Sequence, residues 1–334
     1  MLSTDNIPIA TQLNSMTTHN KIGVVLLNMG GPEKLDDVRP FLYNLFSDRE
    51  IIRLGPRLLQ KPIAWQIARK RAPKSKAIYE KIGGRSPLAE ITGQQGTALE
   101  LSLNESGDFQ VTCAMRYWRP NALDALNHLK KKSITEIIAL TLYPHFSKAT
   151  TGSSLRDLKC ANATMGNYFK ITEISAWPEH PLYIECLAEN IINGLKKFKG
   201  KPTRILYSAH SLPVSFIEEG DPYVDHLKAT IRAIEKITEM RGKLCYQSKS
   251  GPVQWLAPST PEMLEQLAKE GCENILMVPI SFVSDHVETL YEIDIDYRQR
   301  AKKIGIQLIA SESLNTNPKF IACLKDLVLQ HTAP

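Results

Sequence analysis

Ile22-Gly23-Val24-Val25-Leu26-Leu27, running straight into Asn28-Met29-Gly30-Gly31-Pro32, is the stretch that decides the fold. An apolar, β-rich run too short for a helix and ended by glycines and a proline reads as a strand buried on both faces. Runs of the same kind recur at 111–115, 134–142, 169–174, 204–207 and 274–280. Between them lie amphipathic stretches of helical spacing at 35–46, 122–131, 182–198, 223–240 and 261–269. Strands alternating with helices imply parallel sheets covered on both faces, the doubly wound α/β class. With 334 residues, 43% apolar and 23% charged, the chain can bury a sizeable core and form two such units in tandem. The first unit is expected over 21–160 and the second over 161–334. A turn-like Thr151-Gly152-Ser153-Ser154 cluster lies near the boundary, and a final helix at 318–329 could pack on either half.

Several classes fall away on composition. No run of about 18 uncharged apolar residues could span a membrane. Residues 1–20 are polar and lack the basic start and apolar stretch of a secretory signal, so a loose tail on a cytoplasmic protein is expected. The cysteines 113, 160, 186, 245, 272 and 323 are scattered with no C-x-x-C pair, which predicts reduced thiols and neither a zinc site nor a disulfide framework. The net charge of +6 is concentrated, because 51–81 carries nine basic residues against the single acid Glu80. Interleaved with Ile63, Trp65 and Ile67, this segment suits an anionic amphipathic partner, either a lipid surface or a ligand with carboxylates. The plain alternative is a solvated basic helix face. Nucleic acid is not expected, since no recognisable binding module accompanies the patch.

In open parallel sheets, ligands bind beyond the carboxyl ends of the strands, so the residues just after each strand are where chemistry is sought. Here they read Asn28-Met29-Gly30-Gly31-Pro32, Arg116-Tyr117-Trp118, Tyr143 to Ser147, Ser208-Ala209-His210-Ser211-Leu212-Pro213, and Ser281 to Glu288. Neither G-x-G-x-x-G nor G-x-x-x-x-G-K-[ST] occurs, so no nucleotide is expected. His210, set among small residues past a strand end, could accept a proton or bind a divalent metal near neutral pH. Asp285 with Glu288 three residues on has the form of a capping box. Yet Glu288, Glu292 and Asp296 fall at i, i+4 and i+8, lining three carboxylates on one helix face. A solvated face and a cation or proton path are both open readings of that stripe.

Taken together, these segments resemble the ferrochelatases from about Lys21 to about His331. The matching blocks are LLNMGGPE (26–33), YEKIGGRSPL (79–88), MRYW (115–118), TTGSSL (150–155), SAHSLP (208–213), GDPY (220–223), YQSKSGPVQWLAPST (246–260) and SFVSDHVETLYEID (281–294). The resemblance implies two Rossmann-like domains with a porphyrin cleft between them, His210 and Glu288 as the catalytic and metal-binding pair, and Asp285 and His286 in support. Met29, Arg116, Tyr117, Tyr143 and Trp255 are similar to residues that line the macrocycle, while Arg71, Tyr79 and Ser86 match positions that contact propionates or shape the pocket lip. It also implies ferrous iron and a porphyrin as substrates. The NMGGPE form after the first strand is similar to enzymes using protoporphyrin IX rather than coproporphyrin. Family members that carry a [2Fe-2S] cluster have a cysteine-rich extension, whereas only Cys323 lies near the end here, so no cluster and no other cofactor are expected.

The expected chemistry removes two pyrrole protons as Fe²⁺ trades its water and carboxylate ligands for four nitrogens. His210 would take protons, and Glu288, Glu292 and Asp296 would pass the hard cation inward or protons outward, since carboxylates bind divalent metals reversibly. Met29, Tyr117 and Trp255 would grip and bend the ring. A non-catalytic tetrapyrrole or metal carrier and a cobalt chelatase acting on a related ring are the rival readings. Weak peripheral association with the inner face of an anionic membrane is a further expectation.

Overall fold

The computed structural model describes residues 21–249 and 253–332; the expected N-terminal tail at 1–20 lies outside the described residues. The first half runs β1 (Ile22–Asn28), α1 (Val38–Ser47), α2 (Gln60–Glu80), α3 (Leu88–Leu103), β2 (Phe109–Met115), α4 (Ala122–Lys131), β3 (Glu136–Thr141), α5 (Ser153–Thr164) and β4 (Lys170–Ile174). The second runs α6 (Pro181–Lys196), β5 (Arg204–His210), α7 (Val214–Glu218), α8 (Tyr223–Thr238), β6 (Gly242–Gln247), α9 (Thr260–Lys269) and β7 (Asn274–Pro279). A π-helix at Glu288–Tyr297, α10 (Arg298–Lys303), β8 (Gln307–Ala310) and α11 (Pro318–Leu329) complete it. Both sheets are parallel and share one topology, β2-β1-β3-β4 and β6-β5-β7-β8. In each, the chain leaves the first strand for one side and later returns to the other. The switch points therefore lie between β1 and β3 and between β5 and β7.

Strand alternation assigns the layers. Val24 and Leu26 of β1, with Ile205, Tyr207 and Ala209 of β5, face one continuous core that also holds residues of α3, α6, α8 and α11. Val25 and Leu27 face α4 and α5 on the opposite side. Leu206, Ile275 and Met277 face α9, the π-helix and α10. Because β1, β3 and β7 are covered on both faces, their sequences read as nearly continuous apolar runs. Helix starts follow local chemistry: Asn121 with Asp124, and Ser259 with Glu262 behind Pro261, form capping boxes at α4 and α9.

Two expectations about organisation need correcting. The first sheet continues past residue 160, because β4 pairs with β3 from Glu136↔Lys170 to Leu140↔Ile174. The Thr151-Gly152-Ser153-Ser154 cluster is not a boundary turn but the passage from a short π-helical stretch (Lys148–Gly152) into α5. The crossover between halves follows β4 and is pinned by the buried Trp177, whose indole donates to the Thr141 carbonyl at 2.9 Å. The final helix packs on α3 of the first half and on α6 of the second.

Helix α2 is different in kind. It buries Gln60, Ala64, Ala68 and Ala72, a narrow stripe of period four, against α1, and leaves most of its basic residues exposed. Gln60 ties the preceding loop down by donating to the carbonyls of Phe46 (2.8 Å) and Ile52 (3.0 Å). The far end of α2 reaches the second half, where the Lys81 ammonium lies 5.4 Å from the Tyr291 ring centre. No described helix is long and apolar enough to cross a membrane.

Candidate active site

His210 is the last residue of β5 and Glu288 the first of the π-helix that follows β7, so both stand at the switch point of the second sheet. The His210 Nδ1 donates to Glu288 Oε2 at 2.9 Å. An ionised carboxylate can only accept, so the Nδ1 proton is fixed and Nε2 is left as the basic nitrogen. The ring is held by its backbone too, its N–H donating to Ser281 Oγ at 3.0 Å and its carbonyl accepting from the Tyr223 hydroxyl at 3.0 Å. It meets Phe282 edge-on, yet 36% of its side chain stays accessible. Glu288 Oε2 accepts two further hydrogen bonds, from Gln247 Nε2 at 2.9 Å and Ser248 Oγ at 3.0 Å.

The charges are arranged in opposition. Burial disfavours the protonated form of His210, but the Glu288 carboxylate outweighs it and raises the imidazole pKa above its ordinary value. Burial likewise works against ionised Glu288, and His210 and the other donors overcome it, holding that carboxyl below its ordinary range. Glu292 goes the other way: burial and the neighbouring Glu288 charge push it up to about 7. Ser248 Oγ lies 3.0 Å from Glu288 Oε2 and 2.7 Å from Glu292 Oε2, and its one hydrogen cannot serve both. A proton on Glu292 satisfies the second contact. His286, buried and shifted down by that burial, donates from Nδ1 to the Ser284 carbonyl at 3.1 Å. Its Nε2 has no hydrogen-bond partner among the described residues and lies 4.0 Å from Glu288 Oε1. Among the described residues no group of three or more His, Cys, Asp or Glu side chains is placed to hold a metal ion. Glu288 Oε1 and His286 Nε2 are the two donor atoms that lie together beside His210.

The remaining expected residues divide. Met29, Tyr79 and Tyr117 gather in one cluster with α1, α2 and Val287, and burial, helped by the nearby Glu288 charge, raises the Tyr79 phenol pKa. Trp255 pairs with Pro213 just beyond His210, and its indole N–H has no partner among the described residues. Ser86 is buried against Gly31, where a Cβ would lie 2.5 Å from the serine side chain, and its N–H donates to the Pro32 carbonyl. Arg71 is exposed, with its guanidinium 5.2 Å from the Phe46 ring centre. Arg116 is engaged by Asp48 at 2.9 Å and Ser153 at 2.7 Å, and the Tyr117 hydroxyl donates to the same Asp48. Tyr143 is buried nearby, its phenol pKa raised by burial although Arg116 opposes the rise.

The acidic stripe is shorter than its spacing suggested. Glu292 stays beside Glu288, both within hydrogen-bonding distance of Ser248 Oγ, whereas Asp296 is drawn off by an ion pair with Arg300 at 3.0 Å. Asp285 does not build the expected capping box. Its carboxylate accepts from Thr289, Ser313 and Asn315, away from Glu288. Four contributors were not singled out by sequence reasoning: Gln247, Ser248, Ser281 and Tyr223. All lie in blocks quoted above, but nothing local marks them as partners of His210 and Glu288.

A family model described as Ferrochelatase matches residues 21–332. A ferrochelatase of Desulfotalea psychrophila is 62% identical over 308 residues, covering 92% of this chain and 96% of that protein. A ferrochelatase of Synechocystis is 46% identical, covering 92% and 82%. Among solved structures, SirB from Bacillus subtilis with Fe³⁺ aligns with a TM-score of 0.55 at 11% identity over 93% of this chain and 95% of that one. CbiX, described as the terminal enzyme for biosynthesis of siroheme, aligns at 0.53 and 12% identity over 93% and 100%. At those identities the structures speak for the fold, and the sequence matches across nearly the whole length speak for the family: the chain belongs to the ferrochelatases.

Proposed function

We propose that this ferrochelatase inserts Fe²⁺ into protoporphyrin IX with release of two protons, the terminal step of haem formation, without a resident cofactor. The observation that carries the reading is the imidazole of His210 held at 2.9 Å by Glu288, with its other nitrogen unpartnered among the described residues and a third of its side chain accessible. Such a base, its orientation fixed by a carboxylate, suits removal of pyrrole protons near neutral pH. Glu288 and His286 take the incoming cation, and Glu292, with a proton on or off near pH 7, exchanges protons with Glu288 across Ser248. Met29, Tyr117, Tyr143 and Trp255 shape the wall that grips the macrocycle, Arg71, Tyr79 and Ser86 its lip. Asp48 holds Arg116 in that wall. Anaerobic incubation of the purified protein with protoporphyrin IX and Fe²⁺ or Co²⁺, followed through the Soret band, tests this. Accelerated haem formation supports it, porphyrin binding without acceleration indicates a carrier, and acceleration with cobalt alone indicates a different chelatase.

The same protein is proposed to be cytoplasmic and to touch an anionic membrane weakly. Leu58 (90% exposed) and Leu59 (50%) project at the start of α2 between Arg57 and Lys61, and Trp65 (45%) follows one turn on with Arg39 and Arg69 over its ring. Apolar side chains in a basic collar, with an amphipathic indole, match the acyl and headgroup layers of a bilayer surface.

A further inference from the structure

We propose that Gln95, on α3 of the first half, is a positioning residue for the metal site: its amide holds the Ser284–Asn315 corner that fixes the His286 ring with Nε2 bare beside Glu288. Gln95 is fully buried, and its Nε2 donates to Ser284 Oγ at 3.0 Å and to the Asn315 carbonyl at 2.7 Å, both in the second half. The Asn315 carbonyl can only accept, so the amide cannot be turned over. Its Oε1 is consequently left without a partner among the described residues. Burying an unpaired amide oxygen is unfavourable, and leucine or methionine would fill the space without that cost. What glutamine supplies instead is two donors aimed at one corner of the other half.

That corner leads to the site in two short steps. The Ser284 carbonyl accepts from His286 Nδ1, which places the proton there and leaves Nε2 as a lone pair 4.0 Å from Glu288 Oε1. The Asn315 side chain brackets Asp285, accepting from its N–H at 2.9 Å and donating to its carboxylate at 2.8 Å, so both residues before His286 are clamped. Partners of this kind set the tautomer and orientation of a ligating imidazole, and their loss typically costs 10- to 100-fold in metal affinity. The inference rests on reading Glu288 and His286 as cation donors, but the link from Gln95 to the His286 tautomer can be measured without any metal.

The test uses the full chain with ¹⁵N-labelled histidine. Long-range ¹H–¹⁵N spectra of the unaltered protein should place the His286 proton on Nδ1 alone. Gln95→Met keeps the volume and removes both donors. It should mix the His286 tautomers and raise the apparent KM for Fe²⁺ roughly 10-fold or more, while the KM for protoporphyrin stays within about twofold, the pattern of a cation site disturbed behind an intact porphyrin wall. Gln95→Glu, a buried carboxyl that takes a proton to donate to Asn315, should fall between the two. An unchanged tautomer in Gln95→Met, or equal losses for both substrates, overturns the proposal. A changed tautomer with an unchanged KM for Fe²⁺ sinks instead the reading of His286 as a cation donor. Should Gln95→Met not fold, Ser284→Ala removes one of the two acceptors and should still raise the KM for Fe²⁺ several-fold, and no rise there overturns the proposal as well.

Discussion

Replacing Glu288 by glutamine separates charge from shape at the centre of the site. The amide oxygen can take the place of Oε2 and accept from His210, Gln247 and Ser248, so all three hydrogen bonds survive as neutral ones. A hydrogen bond to a charged group contributes about 1.5–3 kcal/mol and a neutral one about 0.5–1.5. The three together lose at most a few kcal/mol, and the relief of no longer burying a charge offsets much of that. A net change near 1 kcal/mol moves the melting temperature of a chain this long by only about 1–2 °C. Turnover should behave differently, because the imidazole loses the charge that raises its pKa and the proposed cation site loses a charged oxygen. We expect a fall of about 10² or more, some 2.7 kcal/mol of barrier. The pair also has a signature in pH. The raised His210 contributes stability that is full below about pH 6.5 and fades as pH rises through its folded pKa. The lowered Glu288 contributes stability that is full above about pH 4.5 and fades as pH falls. The stability gap between native and Glu288→Gln protein should therefore be widest between about pH 4.5 and 6.5. Stopped-flow metalation with calorimetry across pH 4–9 measures both effects; native turnover in Glu288→Gln, or a gap widening toward pH 9, would refute the reasoning.

His210→Ala should leave the fold and protoporphyrin affinity largely intact while metalation falls about 10² or more, read from porphyrin titration beside haem formation; near-native turnover would remove His210 from the chemistry. Arg116→Met strands the buried Asp48 carboxylate with only Ser153, Tyr117 and the Glu50 backbone as partners, and should cost about 3 kcal/mol in denaturant unfolding. A cost below about 1 kcal/mol would show that Asp48 takes a proton instead. Binding to anionic vesicles should weaken between low and high salt and weaken again in Leu58→Glu. Cosedimentation indifferent to both would count against a membrane-facing lip.

The class of fold and the place of its chemistry could both be read from local pattern. Strands covered on both faces must be written as continuous apolar runs, so β1, β3 and β7 were legible, and in parallel sheets the segment after each strand is the natural site. That logic, with the family blocks, reached His210 and Glu288. Sequence did not disclose β6 and β8, edge strands of six and four residues whose GKLCYQ and QLIA carry little alternating or apolar signal. Nor did it disclose the π-helix, for the spacing of Glu288, Glu292 and Asp296 reads equally well in an α-helix. Asp296 turns to Arg300, and long-range packing turns Asp285 to Asn315 and brings Ser248 between the two glutamates. Gln95 and Ser284 are 189 positions apart and Asp48 and Arg116 are 68 apart. Contacts over such distances leave no periodicity to read, because they are set by how the two sheets and their shared helices pack, not by any local preference of the chain.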